Sequence, residues 1–84
     1  SKEELEAASI ELYPNPTNDK LHIVQPFNIA SLQIFDITGK LVKSETLQEV
    51  TNIIQTTHLA PGTYQCMITN EQNGQSAQRS FIKQ

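Results

Sequence analysis

Cys66, His22 and His58 are the residues of this chain best suited to covalent chemistry. A thiol hydrolase needs such a nucleophile, a base and an orienting group brought together. Cys66 sits between Tyr64 and Ile68 in an alternating run, on the apolar face. A free cysteine there acts as a small buried hydrophobe, whereas a reactive one needs exposure and a lowered pKa. His22 falls on the outward face of its own run and His58 near a loop, so both read as solvated side chains. Two isolated histidines lack metal-ligand spacing, and a single cysteine cannot form an intrachain disulfide or a cysteine-built metal site. Asp36, just before Thr38-Gly39, reads as a turn former rather than a catalytic carboxylate. Asp19 has the same reading, with a loop calcium site as its sharper alternative. The expectation is a domain with no catalytic residues, no metal and no cofactor.

The elements that would position these residues are short and β-rich. Runs of strand type occupy 10–13, 20–25, 30–37, 40–45, 50–56, 64–69 and 75–83. Turn residues separate them at roughly regular spacing, and helical periodicity is absent, which predicts an all-β, antiparallel sandwich of about seven strands. The parity switch at Ile34-Phe35 predicts either burial on both faces or a bulge. Residues 1–9 differ in being acidic and free of β-branched side chains, and read as a linker or frayed leader to a domain at 10–84.

Composition narrows the partners. The chain has 84 residues, a net charge of −3 and only six Lys and Arg. One small core fits that length, and nothing basic is clustered, which disfavours nucleic acid and anionic membrane surfaces. No apolar run reaches the ~20 residues of a membrane span, and no signal peptide opens the sequence.

Three turns carry the strongest local signals. Tyr13-Pro14-Asn15-Pro16 sets two prolines around one asparagine. Each proline lacks a donor and holds the residue before it extended, so the segment closes the first strand as a stiff corner. Pro61-Gly62 has the residues of a type II turn, with positive φ expected at Gly62. Asn73-Gly74 predicts a two-residue type I′ hairpin. That loop would set Cys66 opposite Phe81, Tyr64 opposite Lys83 and, awkwardly, Ile68 opposite Arg79.

In this order the motifs resemble the C-terminal sorting domain of the type IX secretion system of Bacteroidota-type bacteria. Tyr13-Pro14-Asn15-Pro16 resembles its opening motif, and Leu21-His22-Ile23 the strand that follows. The stretch at 34–42, with Asp36, Gly39 and Lys40, is similar to its hydrophobic-Asp-x-x-Gly-basic-hydrophobic segment. Leu59-Ala60-Pro61-Gly62-Thr63-Tyr64 resembles its Leu-x-x-Gly-x-Tyr corner, and Phe81-Ile82-Lys83 its apolar-plus-lysine tail. Ser80 departs from the pattern, since many relatives carry a basic residue there; here Arg79 is adjacent.

The resemblance implies an immunoglobulin-like module, N-terminally joined to a parent protein that it routes from the periplasm across the outer membrane. Its implied partners are the secretion machinery and a cell-surface sortase. The sortase would cut the preceding linker, here around Ala7, Ala8 and Ser9, and join the parent to anionic lipopolysaccharide. The recognition residues would be Phe81, Ile82, Lys83, Gly62 and Tyr64. Two alternatives stay open: an adhesion or carbohydrate-associated sandwich, and a surface-retained signalling module. Few aromatics are present for a carbohydrate platform. Removing residues 82–84 is expected to spare most of the fold, because Phe81 remains, and an edge strand there could pair with a receptor strand.

Overall fold

The computed structural model describes residues 10–84; the expected cut region at Ala7, Ala8 and Ser9 lies outside them. The described strands are β1 (Glu11–Tyr13), β2 (Lys20–Val24), β3 (Ala30–Phe35), β4 (Leu41–Leu47), β5 (Thr51–Gln55), β6 (Gly62–Asn70) and β7 (Ser76–Lys83). They form two antiparallel sheets, one ordered β1-β2-β5 and the other β4-β3-β6-β7. Alternation places Leu21, Ile23 and Ile54 from the first sheet on the inner layer. Leu32, Ile34, Tyr64, Cys66, Ile68 and Phe81 face them from the second, and the two rows make one buried cluster.

Polar groups at the sandwich ends are matched rather than excluded. Gln25 is fully buried, where its Nε2 donates to the Glu49 carbonyl (2.6 Å) and its Oε1 accepts from the Phe27 N–H (2.7 Å). It thereby ties the exit of β2 to the β4–β5 connection. Among the described residues no buried side-chain polar atom lacks a partner, as a small core requires.

The expected turns are all present, two of them in altered form. The 30–37 run ends early at Phe35 and alternates without interruption, Ile34 buried and Phe35 half-buried on the opposite face. The register shift beside them skips Val42 on β4, so the apolar pair reflects cover on both faces rather than a bulge in β3. Ile37 then stands in the turn, 83% exposed. Asp36 forms that turn: its Oδ1 accepts from Thr38 N–H (2.9 Å), Thr38 Oγ1 (2.6 Å) and Lys40 N–H (3.0 Å). The Thr38 hydroxyl, and after it the Lys40 N–H, hold the Asp36 carboxyl below its usual pKa. Gly39 follows with φ +89°, a type I turn completed by a left-handed glycine.

The β6–β7 hairpin departs from the type I′ expectation. Gly74 has φ +76°, but among the described residues no non-glycine residue has positive φ, so Asn73 cannot complete that turn. The loop takes four residues, 71–74, closed by Asn70 N–H to Gln75 O (2.7 Å) and Gly74 N–H to Asn70 O (2.8 Å). Two asparagines stabilise it: Asn70 Oδ1 accepts from Gln72 N–H and Asn73 Oδ1 from Gln75 N–H. The register therefore differs by two from the expected one, pairing Tyr64 with Phe81, Cys66 with Arg79 and Ile68 with Ala77. A shift of two keeps every side chain on its face. It also replaces the awkward Ile68–Arg79 pair with Ala77 and brings Tyr64 onto Phe81.

Gly74 still needs to be glycine. A Cβ there would meet nothing within 4 Å, so the penalty is the left-handed backbone alone. Gly74→Val is expected to lower stability by about 1–2 kcal/mol. An unchanged urea midpoint would contradict this hairpin.

Candidate recognition site

The Pro-Asn-Pro corner and the end of β7 form one site. Tyr13-Pro14 and Asn15-Pro16 are both cis peptide bonds. The corner lies against the outer edge of β7, where Thr17 makes a parallel bridge to Lys83. Asn15 Oδ1 accepts from the Ile82 N–H (2.9 Å), across 67 positions of sequence. The Thr17 N–H donates to the Ile82 carbonyl (2.8 Å), and the Gln84 N–H donates to the Thr17 carbonyl (2.9 Å). Thr17 itself is fully buried, its hydroxyl donating to the Lys20 carbonyl (2.5 Å).

The chemistry of the residues explains this pattern. Neither proline offers an N–H, so residues 14–16 cannot donate a regular ladder to the tail. The Asn15 side-chain oxygen takes the Ile82 N–H, and Thr17 has the first backbone donor after Pro16, which the Ile82 carbonyl accepts. Removing residues 82–84, expected to spare most of the fold, therefore carries a cost at the corner. That deletion would strip Asn15 and Thr17 of all three bonds.

The tail's side chains divide by face. Phe81 is inward and 1% exposed, stacked on Tyr64 with ring centroids 5.4 Å apart. Ile82 is outward and 48% exposed, while Lys83 turns inward and is only 9% exposed, its Nζ donating to the Gln84 carbonyl (2.9 Å). Of the three tail residues, only Ile82 presents a large apolar surface to a partner. The Leu-x-x-Gly-x-Tyr corner sits beside them, since Gly62 pairs with Lys83 and Thr63 with Ile82. Tyr64 Oη donates to the Ala60 carbonyl (2.6 Å) while its ring is buried. This is the tyrosine corner found in immunoglobulin-like sandwiches, so Tyr64 serves the fold. Gly62 opens β6 with φ +154°, not the roughly +80° of the expected type II turn. The expected positive φ is present at Gly62, in a conformation other than the expected type II turn.

Residues 11–84 match the family described as a secretion system C-terminal sorting domain. The chain belongs to that family, the type IX secretion sorting domains.

A solved structure with the same fold as this sorting domain is that of PorZ, an essential surface component of the type IX secretion system of Porphyromonas gingivalis. The TM-score is 0.70 at 22% identity, and the likeness covers 94% of this chain but 12% of that one. No curated protein sequence matches. As a type IX sorting signal, the domain implies a parent protein and the secretion machinery as its partners. It likewise implies export across the outer membrane, to the cell surface or beyond.

The residues considered for chemistry are scattered within the sorting domain. Cys66 points into the core from one sheet, while His22 lies on the outer face of the other, stacked on Tyr13 at 4.9 Å. His58 is exposed in the β5–β6 turn. Among the described residues no three His, Cys, Asp or Glu side chains gather as a metal site, and no helix is long and apolar enough to cross a membrane. Burial pushes the Cys66 thiol up to about 12. Native Cys66 is therefore expected to react with a disulfide reagent at least about a hundredfold more slowly than in denaturant. Rapid native labelling would contradict its burial.

Proposed function

We infer that the sorting domain acts without catalysis, as a folded surface read by the secretion machinery around Ile82. The observation carrying this reading is that Ile82 holds a half-exposed aliphatic side chain outward, on backbone anchored to the corner and beside the Gly62–Tyr64 segment. An exposed aliphatic group on fixed backbone costs little ordering on binding, which favours a contact site. On this reading the parent passes through the periplasm, and a cell-surface sortase cuts before the domain, around Ala7, Ala8 and Ser9. The parent is then joined to anionic lipopolysaccharide.

Ile82→Ser tests the reading more cleanly than a deletion, because it keeps the backbone bonds to Asn15 and Thr17. The variant is fused to a passenger, expressed in a host bearing this secretion system, and the cells are fractionated. Surface passenger is expected to fall by about tenfold or more, the loss of one buried apolar anchor. The urea midpoint should stay nearly unchanged, as for other exposed positions. Full surface delivery by the variant would refute recognition at Ile82.

A further inference from the structure

We propose that Asn15 and Thr17 are positioning residues for export, clamping the tail so that Ile82 is presented in one fixed place. The proposal rests on the reading of Ile82 given above. In β7 the residues flanking Ile82 pair toward β6, and alternation turns the Ile82 N–H and carbonyl outward to the sheet edge. An edge strand's outward groups ordinarily meet solvent, leaving its last residues to fray. Here both are taken, the N–H by Asn15 Oδ1 and the carbonyl by the Thr17 N–H.

Thr17 can serve as a fixed post because its own hydroxyl and burial anchor it to the start of β2. Asn15 is exposed, and its described contact of consequence is this one bond. A residue needed only to build the corner would have no reason to reach 67 positions away. The Pro-Asn-Pro-Thr motif thus acts on recognition through the tail, without touching the machinery itself.

The test uses the full 84-residue chain, with three variants at position 15. Asn15→Ala and Asn15→Ser remove the reaching acceptor, and Asn15→Asp keeps it. Two readouts are taken: amide hydrogen exchange at Ile82, with the inward Phe81 amide as a folding control, and surface delivery of a fused passenger. Asn15→Ala is expected to speed Ile82 exchange by about tenfold, the worth of one net hydrogen bond, with Phe81 still protected. Surface delivery should fall with it, and Asn15→Asp should restore both. If Asn15→Ala exposes the Phe81 amide as well, Asn15→Ser is read in its place on the same criteria.

Unchanged Ile82 exchange, or faster exchange with undiminished export, would overturn the clamp. So would export lost equally in Asn15→Asp while its Ile82 amide stays protected. The two ideas separate in the same assay. If Ile82→Ser blocks export and Asn15→Ala does not, the clamp alone fails. If Asn15→Ala loses both readouts while Ile82→Ser exports normally, positioning of the tail stands and the Ile82 side chain is not what is read.

Discussion

Phe81→Ala is expected to lower stability by about 3–5 kcal/mol, the usual cost of emptying a buried phenylalanine site. The ring is almost wholly enclosed between the sheets and stacks on Tyr64, its cross-strand partner. Collapse of the neighbours is limited, because the Tyr64 hydroxyl is held by the Ala60 carbonyl. For 84 residues at about 0.05–0.15 kcal/mol each, total stability is about 4–13 kcal/mol. One truncation therefore removes a third or more of it across much of that range. Urea unfolding followed by circular dichroism measures the loss directly. A change below about 1 kcal/mol would mean that Phe81 is not the core residue described. Export of a fused passenger should fail too, as a consequence of unfolding rather than of lost contact. Ile82→Ser, by contrast, separates export from stability.

Gly62→Ala is expected to cost about 1–3 kcal/mol, from backbone strain alone. The φ of +154° lies where an L-residue is strained, and a Cβ would meet no atom within 4 Å. The penalty should thus be nearly independent of side-chain size, so that Gly62→Val costs little more than Gly62→Ala. A steep rise with size would point to a steric cause and contradict the open space at Gly62. Since Gly62 pairs with Lys83, relaxation of this strain would also disturb the tail. An undisturbed urea midpoint in both variants would show that β6 begins differently.

Much of this architecture could be read locally. Alternation of apolar residues marked the strands, and even the β6–β7 register error left Phe81, Ile82 and Cys66 on their correct faces, because it was an even shift. All three glycines, Gly39, Gly62 and Gly74, occupy positive φ at turns or strand starts, as glycine's lack of a Cβ allows. Asp36 announced its turn through its neighbours, since its partners lie within four residues.

The remaining features depend on groups far apart in the chain. The hairpin loop took four residues because Asn70 and Asn73 caps, together with the Ala77 and Phe81 pairings, outweighed the Asn73-Gly74 preference. Gln25 reads as an ordinary polar residue at a strand end, yet it is fully buried against Glu49 and Phe27. Lys83 follows the inward parity of Phe81, although its charge suggests the opposite.

Residue type and short spacing alone fix the strands, the glycine positions, the faces of Phe81 and Ile82, and the resemblance to the sorting family. Tertiary structure decided what Asn15 is for. That Asn15 stands between two residues without an N–H can be seen in the sequence. That it accepts from the amide of Ile82, 67 residues on, follows only once the two sheets pack and carry the corner to the edge of β7.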